Sequence, residues 1–221
     1  IDVINGSPTI AEWKCRYRYS DSQTGLAWDS CISDGYLWLM DNGDIEAVRS
    51  IHRTFPNGRF DQPPGKRVSW QNPAPWTGAQ RLLRIEQSSG ELDSIEPFGL
   101  PGGGIFAPPV NIPEHEVAVA WDSINGGLAG VSTTGSLEPL WHLDVKPTMQ
   151  PVVFPESGEL VTNDFTDDQS DDVVVVDIQT GELLARVPTG SRVANGMFLS
   201  PGDQRDVYYC STLTWARISW A

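Results

Sequence analysis

The chain has 221 residues, 39% of them hydrophobic and nine of them Trp, enough to bury a sizeable core in one large domain or two small ones. No apolar run approaches the roughly eighteen residues of a membrane-spanning helix, which excludes one. Fifteen basic against 29 acidic residues give a net charge of −14, and no dense Arg/Lys cluster offsets it, so nucleic acid is excluded as a partner.

Nothing at the N-terminus reads as a signal peptide, and a start at Ile1 instead of Met is what processing or truncation leaves. An exported origin, extracellular or periplasmic, is therefore expected over a cytoplasmic one. Twenty-one glycines and 17 prolines argue against long helices, since both interrupt them. In chain order, Glu12–Tyr19 reads as a strand that turns at Thr24-Gly25, followed by short apolar stretches at Tyr36–Met40 and Arg81–Ile85. Between those two, Ile45–Ile51 alternates almost as well as a strand as it winds as a helical turn. Further strands follow at Val117–Trp121, Glu159–Thr162, Val173–Val176, Glu182–Val187, Val207–Ser211 and Trp215–Trp220, separated by the Thr-Gly, Ser-Gly and Pro-Gly pairs that tight turns demand. The chain reads as all-β.

Spacing carries more information than any single stretch. Gln87–Leu92, Ser132–Leu137 and Ile178–Leu183 are versions of one hairpin, with Gly90, Gly135 and Gly181 lying 45 and 46 residues apart. Ala107–Val110, Met149–Val152 and Ala194–Met197 form a second series in step with the first. Periods of roughly 40 to 50 residues, each with about four strands, predict the blades of a β-propeller. Five blades are expected in a single domain over residues 1–221, with six if the chain is a fragment or one blade is degenerate. Four centre near 30–55, 60–100, 105–145 and 148–190, and strands from both termini close the ring as the fifth. A β-sandwich is the alternative.

Two segments resemble a known family. Gly25-Leu26-Ala27-Trp28-Asp29-Ser30 with Asp34–Asp41, and Ala194–Gly202 with Val207–Ser211, are similar to the calcium-dependent gluconolactonase, senescence-marker and strictosidine-synthase superfamily of propellers. The resemblance implies calcium as cofactor, a metal-binding amide at Asn195 beside a central channel, and lactone or ester hydrolysis. A channel lined by the first strand of several blades gathers oxygen ligands around one hard cation, which polarises a carbonyl or activates water. Thr24 and Ser211 stand where the family carries carboxylates, which removes ligand charge. The Thr-Gly hairpins also resemble the tryptophan-docking repeats of quinoprotein-like propellers, with Trp141 as the blade tryptophan.

Blade phasing puts Asn111 and Asn195 at innermost strands, with Asp164 and either Asp29 or Ser30 approaching them. These are the metal-ligand candidates: Asn195, Asn111, Asp164 and Asp29. The segment Asn163–Asp172 offers five carboxylates and reads either as a cation loop or as a solvated loop tip. Asp41-Asn42-Gly43-Asp44 lacks the spacing of a calcium loop and reads as a hairpin turn. His52, His115 and His142 share no metal-ligand spacing, and His142 is expected to be a strand residue satisfied by a neighbour. Cys15, Cys31 and Cys210 are too few for a disulfide framework, although Cys15 and Cys210 would approach if the termini share a blade. Trp70 and Trp76 are expected to pack in a core or interface ahead of lining a sugar or apolar-ligand surface. The chain reads as a propeller binding a small-molecule or protein ligand at its channel mouth, with a calcium-dependent lactonase-like or ester hydrolase as the alternative.

Overall fold

The computed structural model describes residues 16–21, 26–41, 79–100, 109–123, 125–165, 170–191, 198–211 and 214–220. These residues form antiparallel strands joined in sequence order into four sheets. The first sheet holds β1 (Arg16–Asp21), β2 (Leu26–Ser33), β3 (Tyr36–Asp41), β4 (Arg81–Glu86) and β5 (Leu92–Ile95). The second holds β6 (Val110–Ile112), β7 (Val117–Trp121), β8 (Leu128–Ser132) and β9 (Glu138–Leu143). The third holds β10 (Val152–Phe154), β11 (Glu159–Phe165), β12 (Asp171–Asp177) and β13 (Leu183–Ser191), and the fourth β14 (Phe198–Pro201), β15 (Asp206–Cys210) and β16 (Trp215–Ser219). Among the described residues, no helix is long and apolar enough to cross a membrane.

The third sheet shows why β-branched runs become strands here. Successive side chains of a strand point to opposite faces. Along β12, Val174 and Val176 enter a cluster shared with Trp121, Leu128 and Val131 of the second sheet. Val173 and Val175 enter another, with Val207, Tyr209 and Ile218 of the fourth. All four valines are fully buried. A four-residue valine run is thus the pattern of a strand with a sheet on each side, whereas a strand with one wet face alternates.

The three hairpins of the repeat share their geometry. Gly90, Gly135 and Gly181 have φ of 73°, 69° and 72°, in the left-handed region. At the last of them the sheets lock together. The Trp141 ring of β9 lies over Gly181, and its Nε1–H donates to the Ile178 carbonyl at 2.8 Å. The seam between the first and second sheets uses charge for the same task. Arg84 of β4 donates from Nη1 to Thr133 O at 2.7 Å and from Nη2 to Gly135 O, while Asp93 of β5 accepts from the Leu137 amide at 2.7 Å. Between the third and fourth sheets, Glu159 accepts from Arg205 and, at 3.3 Å, from Trp220 Nε1.

Two expectations need correction. The segments assigned to separate blades near 30–55 and 60–100 meet in one sheet, because β3 pairs directly with β4 from Asp41↔Arg81 to Tyr36↔Glu86. Local spacing cannot report a pairing that bridges 39 residues, of which 42–78 lie outside the described ones. Strand β1 pairs with β2 and not with the C-terminal sheet, which has three strands among the described residues. Ile45–Ile51, His52, Trp70, Trp76, Thr24 and Cys15 lie outside the described residues.

Candidate functional site

The richest polar arrangement sits at one end of the third sheet, where β11 finishes and β12 begins. Cross-strand pairing puts Asp164 opposite Asp172 and Phe165 opposite Asp171. Alternation then divides the polar side chains between the two faces of the sheet. On one face, Arg186 of β13 reaches Asp164 Oδ2 at 2.7 Å with Nη2 and Asp172 Oδ2 at 3.1 Å with Nη1. The guanidinium is 35% exposed while the two carboxylates are at most 13% exposed, so the cation forms the wet tip of the triad.

On the other face the polar groups are buried and bonded to each other. Asn163 Oδ1 accepts the Thr148 and Met149 amides at 2.9 and 3.0 Å, and its Nδ2 donates to Asp171 Oδ1 at 2.8 Å. Tyr209 of β15 donates its hydroxyl to Asp171 Oδ2 at 2.5 Å, tying the third sheet to the fourth. Nearby, the Ser191 and Ser211 hydroxyls are 3.0 Å apart. Burial pushes the Asp171 carboxyl above the usual aspartate range, and the charges of Asp172 and Asp164 add to that. The bonds from Tyr209 and Asn163 pull the other way without cancelling it. Burial and then the Asp171 bond raise the Tyr209 phenol as well. Strands β11 and β12 thus carry a buried hydrogen-bonded floor on one face and, on the other, a rim of two carboxylates sharing one guanidinium.

The residues singled out in the sequence have different surroundings. Asp164 is buried, with Oδ1 on the Lys146 amide at 2.7 Å and Oδ2 on Arg186. Asn111 of β6 is buried and donates to Ser33 Oγ at 3.2 Å, leaving its buried Oδ1 without a hydrogen-bond partner among the described residues. Asp29 lies in β2, in register with Arg18 of β1. Asn195 lies outside the described residues. Calcium takes roughly six to eight oxygens. Among the described residues, no group of three or more His, Cys, Asp or Glu is placed to hold a metal ion. Asn111 Oδ1 suits a hard cation, but Asp164 would have to give up a guanidinium to serve one.

Other residues are used structurally. Ser211 is buried against Ser191. His142 meets Phe98 edge-to-face at 5.8 Å, as expected of a satisfied strand residue. Cys210 is free and buried. Much of the acidic segment is strand instead of loop: Asp164 belongs to β11 and Asp171 and Asp172 to β12. Arg186 and Tyr209 were not picked out from the sequence, and Asp171 only as one of the five carboxylates of the acidic segment. A pair of aspartates leading straight into Val173–Val176 was the available signal, because carboxylates at the head of a buried strand need partners.

No protein-family model matches the chain, and no curated protein matches it. Solved structures that it resembles include the quinohemoprotein alcohol dehydrogenase of Pseudomonas putida HK5, 11% identical over 72% of this chain and 20% of that one, with a TM-score of 0.42. A chain of the nidogen–laminin complex is 9% identical over 88% of this chain and 84% of its own, with a TM-score of 0.38. A candidate 6-phosphogluconolactonase from Bacteroides uniformis ATCC 8492 is 13% identical over 91% and 68%, with a TM-score of 0.37. The chain thus spans a fifth of the length of the quinohemoprotein.

Proposed function

We propose that the chain is a β-propeller that acts as a binding scaffold, recognising a small-molecule or protein ligand at the Asp164–Asp172–Arg186 rim. Meander sheets of four strands, repeated hairpins and a tryptophan docked across a seam support the architecture. One observation carries the binding reading: the paired charges of the rim share β11 and β12 with a buried, fully bonded Asn163–Asp171–Tyr209 floor on the opposite face. Such a floor keeps the rim pre-organised, which lowers the ordering cost of binding. The rim offers carboxylate acceptors suited to hydroxyls and amides, held in place by the guanidinium that Asp164 and Asp172 share.

A second reading, a calcium-dependent lactonase-like or ester hydrolase with Asn195, Asn111, Asp164 and Asp29 as ligands, is favoured by the buried, unclaimed Asn111 Oδ1. One experiment separates the two. Amide spectra of the labelled chain are titrated with calcium and then with small carboxylic acids, sugars and lactones, and hydrolysis of lactones and aryl esters is followed with and without chelator. The binding reading expects shifts at residues 163–164, 171–172 and 186, weakened about tenfold by Arg186→Gln, and no turnover. Hydrolysis that chelator abolishes would overturn it and establish the enzyme. Ligand-induced shifts that avoid the rim would also overturn it.

A further inference from the structure

The end of the third sheet opposite the rim carries a cleft whose counterpart one repeat earlier is filled. Strands β6 and β7 are joined by a single 3-10 turn at Pro113–His115, and β10 and β11 by another at Pro155–Ser157. Each is followed by a residue in the left-handed region, Glu116 at φ 54° and Gly158 at φ 71°. At the first turn, His115 donates from Nε2 to the Pro155 carbonyl at 2.6 Å, and Gln179 Nε2 donates to His115 O at 2.7 Å. A donor side chain from one sheet thus plugs the seam by bonding to the turn of the next.

At the second turn Ser157 takes the place of His115, and it bonds within its own sheet, to Phe154 O at 3.3 Å and Glu159 Oε2 at 2.7 Å. The facing turn in the fourth sheet follows Pro201, in step with Pro113 and Pro155. Between them lies a cleft of about 610 Å³, with half-buried Val153, Phe154 and Pro155 as its floor. Glu156 and Asp203 are exposed at its rim, and neither makes a hydrogen bond or salt bridge among the described residues. Arg205 at the same rim is held by Glu159, and Arg217 by Asp206.

We infer that this cleft receives a Lys or Arg side chain beside an apolar residue, presented by an extended segment of a partner protein. The guest cation takes the role that His115 plays one repeat earlier, donating toward the Pro201 turn where Ser157 is too short to reach. Its charge meets Glu156 and Asp203, neither of which is in a salt bridge although Asp203 lies within electrostatic reach of Arg217, and the apolar neighbour covers Val153 and Phe154. The volume suits one or two side chains, not a folded domain. A basic partner also matches the net charge of −14, which steers cations toward the molecule.

The test uses the labelled full chain and two acetylated, amidated tripeptides, Leu-Arg-Leu and the same peptide with uncharged citrulline in place of Arg. The Arg peptide is expected to shift amides at 153–154, 156–157 and 202–205 and to bind at least tenfold more tightly than the citrulline peptide. Ser157→His, which places a His115-like plug in the cleft, should cost at least tenfold in binding, whereas Ser157→Ala, which loses the same Glu159 bond without filling the cleft, should bind as the parent does. Glu156→Gln with Asp203→Asn should lower Arg-peptide affinity about tenfold and erase the preference over citrulline. Equal affinity for both peptides would reduce the cleft to a plain apolar groove and overturn the inference. Unchanged binding in Ser157→His, or no shift at about 10 mM Arg peptide, would overturn it too.

Discussion

Asp171 is the residue whose chemistry is most at odds with its position. A carboxyl held above its ordinary value by burial binds its proton more tightly in the folded chain than in the unfolded one. Its stabilising contribution is therefore fully present below the usual aspartate range and is lost as pH rises through the raised value. Asn at this position keeps a carbonyl for Asn163 Nδ2 and offers an N–H to the Tyr209 oxygen, without a charge to bury. Asp171→Asn is expected to flatten the stability–pH curve above the ordinary aspartate range. Urea unfolding from pH 4 to pH 8 measures this, and a variant with the slope of the parent would show that Asp171 is not its source.

The element that most clearly couples sequence to packing is the Thr-Gly hairpin. Gly181 must be glycine for two separate reasons. Its φ of 72° strains any residue with a Cβ, and an added Cβ would lie 2.7 Å from the Trp141 ring. Gly181→Ala is expected to cost about 2–4 kcal/mol, summing left-handed strain and overpacking. Trp141→Phe keeps most of the ring contact but strips the Ile178 carbonyl of its donor, for a loss of about 1–2 kcal/mol. Chemical denaturation orders the two, and a larger loss for Trp141→Phe would mean that the hydrogen bond, not the close approach, holds the seam. The hairpin spacing was legible because each turn needs a glycine at a fixed place. That Arg84 and Asp93 do Trp141's work one repeat earlier was not, since either chemistry can satisfy the same carbonyls and amides.

Across the molecule, the seam between the third and fourth sheets is held at both ends of β11 and β12 by carboxylates that respond to pH in opposite directions. Burial acts to raise the Glu159 carboxyl, and the bonds from Arg205, Ser157 and Trp220 outweigh it, holding it below the usual glutamate range. Glu159 thus adds stability above that range and loses it as pH falls through its lowered value, the reverse of Asp171. Glu159→Gln removes the charge from a buried, bonded acceptor and is expected to cost about 2 kcal/mol at pH 7, with the difference shrinking on acidification. Comparing the variant with the parent at pH 7 and pH 3 tests it. A loss independent of pH would assign Glu159 a packing role alone. If the fourth sheet separates in this variant, tryptophan fluorescence and far-ultraviolet dichroism should cease to report one transition.

The sequence by itself determined where the chain extends and where it turns. Valine runs, alternation and glycines at 45- and 46-residue intervals are local or periodic requirements, and β7, β11, β12 and β13 fall where they put strands, whereas Leu128–Ser132 had no such signal and became β8. Only the tertiary structure decided which strands become neighbours across long gaps, as when β3 took β4 for its partner and merged two expected blades. Loop length barely changes the cost of such a closure, so nothing in the intervening residues announces it. The candidate site divides along the same line. Asp164 and Asn111 were visible as polar residues at strand positions, but their partners Arg186, Lys146 and Ser33 come from other strands and loops. A carboxylate's role is set by what the fold brings within about 3 Å of it, and that distance exists only once the sheets have packed.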